Sequence, residues 1–282
     1  MPSTSLHSST GVTRSTIKLE VKPAIHRIHF VADDKLARLV DFTYRALRPR
    51  LGDEWLILNA RAIATVIGGP PAAIDDLAGR QAPWTLVYGV SGHKYLPEER
   101  LALQEKEIGK VAQATGVVPG SEVPGCSSKN MERILASASP EPYYKTVPKG
   151  AFLDIFFLAT LDMVHRLVEI MEGACESHGY PVGELGTYVQ PIQQGRTAHI
   201  EFTLYYDPAD EVESKKAGEL FESASRELDA AGAFFSRPYG TWSQIAYRNC
   251  PDSVEALKKV KRVMDPDNVL NRGKLCFGEE VV

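Results

Sequence analysis

The sequence has little of what would tie it to a metal, a membrane or nucleic acid. Its four cysteines, Cys126, Cys175, Cys250 and Cys276, are far apart and form no Cys-x-x-Cys pair. That excludes a zinc knuckle and a dense disulfide framework, and the four read as reduced, mostly buried thiols. No stretch approaches the roughly 18 consecutive apolar residues of a membrane-spanning helix. The Ser/Thr-rich start, Met1 to Ser15, lacks the apolar segment of a secretory signal. A cytoplasmic protein with a flexible tail over residues 1–24 is therefore expected. Lys and Arg form no long block, and 32 basic against 36 acidic residues leave a formal charge of −4. Nucleic acid and anionic membrane are poor partners for such a chain, and a small or uncharged substrate is a better one. Histidines give no metal-ligand spacing: His26 and His29 alternate with Ile25 and Ile28 as ordinary strand residues. A phosphate-binding glycine loop is also missing, since neither G-x-G-x-x-G nor a P-loop occurs.

What is present is enough apolar residue, 44% of 282, for one large or two small domains, and a unit that recurs four times. Each unit is a short apolar strand, a few small or polar residues, then a helix. The first joins Ile25 to Val31 with a helix capped at Asp33 or Asp34 and carrying Leu36, Leu39, Val40, Tyr44 and Leu47 on one face. The second joins Trp84 to Tyr88 with a charged helix from Pro97 to a stop at Gly116. In the third, Phe152 to Leu158 reads as apolar throughout, and Leu161, Val164, Leu167, Val168 and Met171 share a helix face ending at Gly179. The fourth alternates Ile200, Phe202 and Leu204 with His199, Glu201, Thr203 and Tyr205, then runs as a helix from about Ala209 to Ala231.

Units one and three share letters, Phe30-Val-Ala32 with Phe157-Leu-Ala159 and Arg38-Leu-Val-Asp41 with Arg166-Leu-Val-Glu169, which suggests an internal duplication. With intervening strands near Trp55 to Leu58 and Thr187 to Ile192, the pattern predicts an α+β fold. Duplicated ferredoxin-like units would form an antiparallel sheet with helices on one face. The expected organisation is a tail over 1–24, the duplicated domain over 25–232 and a C-terminal segment over 233–282. The two halves are joined through a Pro/Gly/Ser-rich connection over about 116–150, with one short helix near Asn130 to Ala136.

The most specific feature is the closing run Asp265-Pro-Asp-Asn-Val-Leu-Asn-Arg-Gly-Lys-Leu275. By its own chemistry it is a helix stop and tail: Asp-Pro ends a helix, Asn268 favours a turn, Val269 and Leu270 anchor the segment, and Gly273 permits a close backbone approach. With the basic helix Lys258 to Met264 before it, the run also resembles the C-terminal signature of FAD-linked oxidases, departing from it at Arg272, where that family has Pro. The stretch from Phe30-Val-Ala-Asp-Asp34 to Leu47-Arg-Pro49 looks like the opening of the cap domain of the vanillyl-alcohol oxidase and 4-cresol dehydrogenase family. The resemblance covers roughly residues 25 to 277.

The resemblance implies the cap, or substrate, half of a flavoenzyme in which hydride passes from an aromatic alcohol or alkylphenol to FAD. It places Asn271 and Lys274 on the flavin side. Arg196-Thr-Ala-His199 resembles the region where some members carry a histidine joined to the flavin; His199 reads either so or as a carboxylate-paired strand histidine. Ser236-Arg237-Pro-Tyr239 lies where the aryl-alcohol branch has a Tyr-Arg pair that holds a phenolate. Arg237 suits that role because a guanidinium stabilises a developing oxyanion, or else it is a structural ion-pair partner. Ser236 replaces the tyrosine, with Tyr239 or Tyr188 as substitutes, and Arg196 completes the substrate-side set. The His-rich Gly-Asp-Gly-Asn run of the hydroxy-acid branch is missing, which leaves a 2-hydroxy acid as the second substrate class. A non-catalytic ferredoxin-like assembly module is the alternative of another kind. Because the glycine loop is absent, the flavin domain is expected either on a separate FAD-binding polypeptide of about 200 residues or more, the favoured partner, or in a longer chain of which this is a part.

Overall fold

The computed structural model describes residues 25–139, 141–270 and 272–277; the expected tail over 1–24 lies outside them. The chain divides into two compact units, with the boundary between Ala233 and Phe234. The larger is the sheet unit. It runs β1 (Ile25–Asp33), α1 (Leu36–Leu47), β2 (Glu54–Asn59), α2 (Ala60–Ile67), α3 (Pro71–Arg80), β3 (Trp84–Gly92) and α4 (Pro97–Thr115). A connection follows with the small hairpin β4 (Glu122–Val123) and β5 (Cys126–Ser127), then α5 (Ser128–Ala136) and a 3-10 turn at Tyr144–Thr146. The second half is β6 (Ala151–Ala159), a 3-10 turn at Leu161–Met163, α6 (Val164–Ser177), β7 (Gly186–Ile192), β8 (Thr197–Tyr206) and α7 (Glu211–Ala230). The C-terminal unit holds α8 (Thr241–Arg248) and α9 (Pro251–Met264).

All six long strands form one antiparallel sheet in the order β1-β3-β2-β7-β8-β6. Within each half the first strand is outermost and the second lies at the centre, so the halves mirror each other across the β2–β7 seam. The second is a ferredoxin-like β-α-β-β-α unit, and the first has the same order with α2 and α3 inserted between β2 and β3. In the first half the Phe30–Gly120 bridge adds a remnant of a further strand beside β1, with backbone bonds of 2.9 and 2.8 Å. The seam itself is short, pairing Ile57 with Val189 and Leu58 with Tyr188. Asn59 reinforces it: its Oδ1 accepts from the backbone N–H groups of Ala62 and Thr187, and its Nδ2 donates to the Leu185 carbonyl at 2.7 Å. One side chain thus caps α2 and ties β2 to β7.

The duplication holds at the level of elements, but the letter match is offset by a face. Phe30 packs with Ile63 of α2 and Met131 of α5, whereas Phe157 packs against Phe202, on the sheet face opposite Phe156, Asp154 and Glu201. Side chains alternate along a strand, so a one-residue slip exchanges faces. Helices also occupy both faces rather than one. His29 stacks on Tyr88, which meets Phe42 of α1, while Ile28 and Phe30 meet α2 and α5 from the other side. Two local readings are corrected as well. Lys35, not Asp33 or Asp34, stands at the N-cap of α1 and makes no side-chain cap; Asp33 accepts the Lys35 N–H and pairs with Arg38 at 3.1 Å. On α1 Tyr44 is exposed, and Phe42, Thr43 and Ala46 take the buried face with Leu36, Leu39 and Leu47.

Candidate functional site

The fourth strand of the sequence pattern, β8, has the two faces its alternation implies. Ile200, Phe202 and Leu204 are fully buried. His199 and Glu201 share the opposite face, with His199 Nε2 3.8 Å from Glu201 Oε2. The neighbouring strands add to this face through their register: Tyr188 of β7 lies opposite Glu201, Gln190 opposite His199, and from β6 Phe156 lies opposite Glu201 and Asp154 opposite Thr203. The His199 ring sits 5.9 Å from Phe156 and 6.2 Å from Tyr188, edge-on to the latter.

Beneath the imidazole is a buried ion cluster centred on Lys145, which the 3-10 turn at Tyr144–Thr146 delivers to the sheet. Its Nζ donates to Asp154 Oδ2 at 2.7 Å and to Glu201 Oε1, and Thr203 Oγ1 donates to Asp154 Oδ1 at 2.7 Å. Side-chain exposure rises from 7% at Lys145 through 19% at Glu201 to 24% at His199, so the cluster opens outward at the imidazole. Burial raises the Asp154 carboxyl, and the Glu201 charge adds to that against the pull of Lys145 and Thr203. For Glu201 burial is outweighed by His199 and Lys145, and the group is held below its ordinary value. Burial also opposes the charge on Lys145, yet the two carboxylates hold its ammonium above the usual lysine value. Tyr188 is pushed up by burial and by Glu201, and so stays a phenol. The face therefore offers an ionised carboxylate behind an imidazole, a neutral phenol and an aromatic edge. Such a set suits an aromatic hydroxyl compound and can accept a proton from it.

Tyr188 and Gln190 also line a cleft of about 630 Å³, with Glu54, Leu56, Leu135 and Gln193 among its other walls, within the roughly 300–1,000 Å³ range of small-molecule sites. The β7–β8 turn closes one end, and there Gln193 and Gln194 both take positive φ, 49° and 60°. Arg196 is exposed in the same turn. Lys145 and Asp154 are absent from the sequence expectations; the signal for them was a carboxylate inside a strand read as apolar throughout.

The other expected residues belong to the C-terminal unit, which is described by itself. Arg237 and Tyr239 are exposed and lie in one tight turn, the Tyr239 N–H donating to the Arg237 carbonyl at 3.0 Å. The Tyr239 ring is 5.4 Å from Trp242, which stacks on Phe235. In the closing run, Val269 and Leu270 are 71% and 40% exposed within this structure, so they do not anchor the segment as expected. Asp265 does: it accepts the N–H groups of Val269 and Leu270 at 2.9 Å each and pairs with buried Lys261, which also donates to the Leu270 carbonyl at 2.6 Å. Asn268 and Gly273 take positive φ as a turn requires. Lys274 is exposed, and Asn271 lies outside the described residues.

Residues 162–275 match the family of FAD linked oxidases, C-terminal domain. Among solved structures, p-cresol methylhydroxylase with substrate bound is similar at a TM-score of 0.70 and 17% identity, over 91% of this chain and 53% of that one. The 4-ethylphenol oxidase from Gulosibacter chungangensis, in its isoeugenol complex, is similar at 0.66 and 14% identity, over 89% and 54%. Alkyldihydroxyacetonephosphate synthase is similar at 0.55 and 10% identity, over 87% and 44%. No curated protein sequence matches the chain. At these identities the likeness is one of fold, and the chain spans about half the length of the solved structures it resembles.

The match of residues 162–275 to a domain of FAD linked oxidases raises the question of where FAD would sit. The pyrophosphate of a dinucleotide seats on bare N–H groups at a glycine-lined strand-to-helix turn. In the sheet unit those positions hold acids or are closed. Asp33 occupies the turn before α1, Glu98 and Glu99 the first turn of α4, Asp162 the turn before α6, and Asp210 caps α7 by accepting from Val212 and Glu213. The turn before α2 is closed by the Asn59 side chain. Carboxylates there repel a phosphate, so these strand-to-helix turns of the sheet unit do not provide the cradle an FAD pyrophosphate needs. None of the described helices is long and apolar enough to cross a membrane, and the described residues hold no cluster suited to a metal ion.

Proposed function

We propose that this chain is the substrate-side domain of a flavin-dependent oxidoreductase that oxidises an aromatic alcohol or alkylphenol, with the FAD held by a separate polypeptide. The single observation that carries the reading is the half-buried face of Tyr188, Phe156 and His199 over Glu201, on a fold shared with p-cresol methylhydroxylase and 4-ethylphenol oxidase. The carboxylate-filled helix starts support placing the FAD pyrophosphate away from these turns; that it is held by another polypeptide is our proposal. In this reading Tyr188 and Arg196 of the sheet unit bind the substrate ring and its hydroxyl, while the C-terminal unit, taken by itself, carries Arg237 as its oxyanion-stabilising cation and Tyr239 as its phenol. His199, Asn271 and Lys274 are the residues we assign to flavin contact. A 2-hydroxy acid is the second substrate class, though no side chain described above favours it over a phenol.

The exposed apolar residues Val260, Val263, Met264, Val269 and Leu270 of the C-terminal unit are the surface we assign to the FAD-binding partner. Two experiments test the function. The chain is titrated with FAD alone, where no tight binding is expected, and is then co-purified from its native host to recover a flavin polypeptide. The reconstituted complex is screened for flavin bleaching by alkylphenols, aromatic alcohols and 2-hydroxy acids. Arg237→Ala is expected to lower turnover about 10²–10³-fold, the usual effect of removing one oxyanion-stabilising group. A complex bleached by none of these substrates sinks the enzyme reading and leaves the assembly module.

A further inference from the structure

Within the buried cluster two carboxylates share one ammonium, and they use it differently. Asp154 is closed from both sides, Oδ2 by Lys145 and Oδ1 by Thr203. Glu201 gives only Oε1 to Lys145, while Oε2 is left toward His199 Nε2. Lys145 is itself well held. Its turn is closed by Thr146 N–H on the Tyr143 carbonyl at 2.8 Å and Gly150 N–H on the Thr146 carbonyl at 2.7 Å, and the Phe152 ring lies 5.4 Å from its ammonium. The groups around the imidazole are thus Glu201 on its own strand, Tyr188 on β7, Phe156 and Asp154 on β6, and Lys145 from the connection.

We propose that Lys145 is a positioning residue of the candidate site: by clamping Glu201 Oε1 it aims Oε2 at His199 Nε2, which fixes the imidazole proton there and leaves Nδ1 as the proton acceptor offered to a ligand. The inference deepens the function proposed above and rests on it for what the imidazole meets. The relay from Lys145 through Glu201 to His199 needs no flavin. An uncharged residue at 145 would leave two buried carboxylates without a cation. Like charges at such range cannot both ionise, so the pair would share a proton, and Glu201 would lose both its anchor and its hold on Nε2.

The test is ¹⁵N NMR of the full chain labelled at histidine, at a pH above about 8, past the ordinary histidine range, where ring nitrogen shifts report the tautomer. His199→Gln assigns the resonances. The wild-type ring is expected to be almost wholly Nε2–H. Lys145→Met should raise the Nδ1–H population several-fold toward that of free histidine, Glu201→Gln should do the same, and Lys145→Arg should restore the wild-type ratio. Tyr188→Phe should leave it unchanged. Should Lys145→Met unfold the chain, the double variant Lys145→Met with Asp154→Asn keeps the net charge of the cluster and carries the same test. A folded variant lacking Lys145 with the wild-type tautomer ratio overturns the proposal, as does a Glu201→Gln variant with that ratio. Neither result touches the flavin-bleaching experiment, so the two failures are distinguishable.

Discussion

Gly92 ends β3 where the first turn of α4 comes down on it. A Cβ at that position would lie 2.3 Å from the Pro97 carbonyl oxygen, and that oxygen is backbone, so the helix start would have to move. Gly92→Ala is expected to cost about 1–3 kcal/mol, the range for overpacking a tight site, read as a lower urea midpoint. Asn59 is a different kind of critical residue, because two of its three hydrogen bonds cross the seam where the halves meet and the third caps α2. Asn59→Ala leaves the Thr187 N–H and the Leu185 carbonyl without that partner, an expected loss of about 1–3 kcal/mol. Hydrogen exchange should quicken first at the Thr187 amide, with the outer pair β1–β3 little changed. An unchanged Thr187 rate would show that the seam is held by apolar packing alone.

At the scale of elements, the tail after α9 depends on one carboxylate. Hydrogen bonds from Lys261 and from the Leu270 and Val269 amides hold Asp265 below its ordinary value of 3.8. A depressed carboxyl stabilises the fold above pH 3.8, and that contribution is lost as pH falls through the lower folded value. Asp265→Asn should therefore open the turn at neutral pH, seen as faster amide exchange at Val269 and Leu270 and cleavage there in limited proteolysis. Acidifying the wild type should produce the same change only below the ordinary carboxyl value of 3.8. Elements like this one were partly legible in the sequence. The helix face of Leu161, Val164, Leu167, Val168 and Met171 is buried as its spacing implies, because one side of α6 meets water and the period survives. Helix α2 escaped for another reason: it is an eight-residue run in which Arg61 through Thr65 are all buried, and a short apolar run cannot be told from a buried strand by its period. The candidate site divides in the same way. His199 and Glu201 share a face by strand alternation, which two letters reveal. Lys145 reaches Glu201 from 56 residues away in sequence, and no period reports such a contact. The available clue was Asp154, whose charge in an otherwise apolar strand demands a distant cation.

For the whole molecule, the two halves carry different titrating groups, so acid should weaken them unequally. In the first half His29 stacks on Tyr88 at 5.1 Å, with Arg27 on its own strand and Glu105 of α4 at 3.6 Å from Nε2. Burial lowers its pKa from 6.5; Arg27 acts in the same direction, and Glu105 opposes both. A histidine with a lowered folded value binds its proton more weakly in the fold than in the unfolded chain. Stability is therefore complete above pH 6.5, falls as pH drops from 6.5 through the folded value, and levels off below it. In the second half Glu201 is held below its ordinary 4.5, so its contribution survives that interval and is lost only at lower pH. The β1–β3–β2 half should then loosen first on mild acidification, with amides of β1 exchanging faster than those of β8 as pH is brought from about 7 to about 5. His29→Gln should flatten the urea-midpoint slope in that interval and remove the difference between halves. If the variant keeps the wild-type slope, another group in the sheet unit sets the acid response. Equal exchange in β1 and β8 would mean that the halves unfold as one across the Asn59 seam.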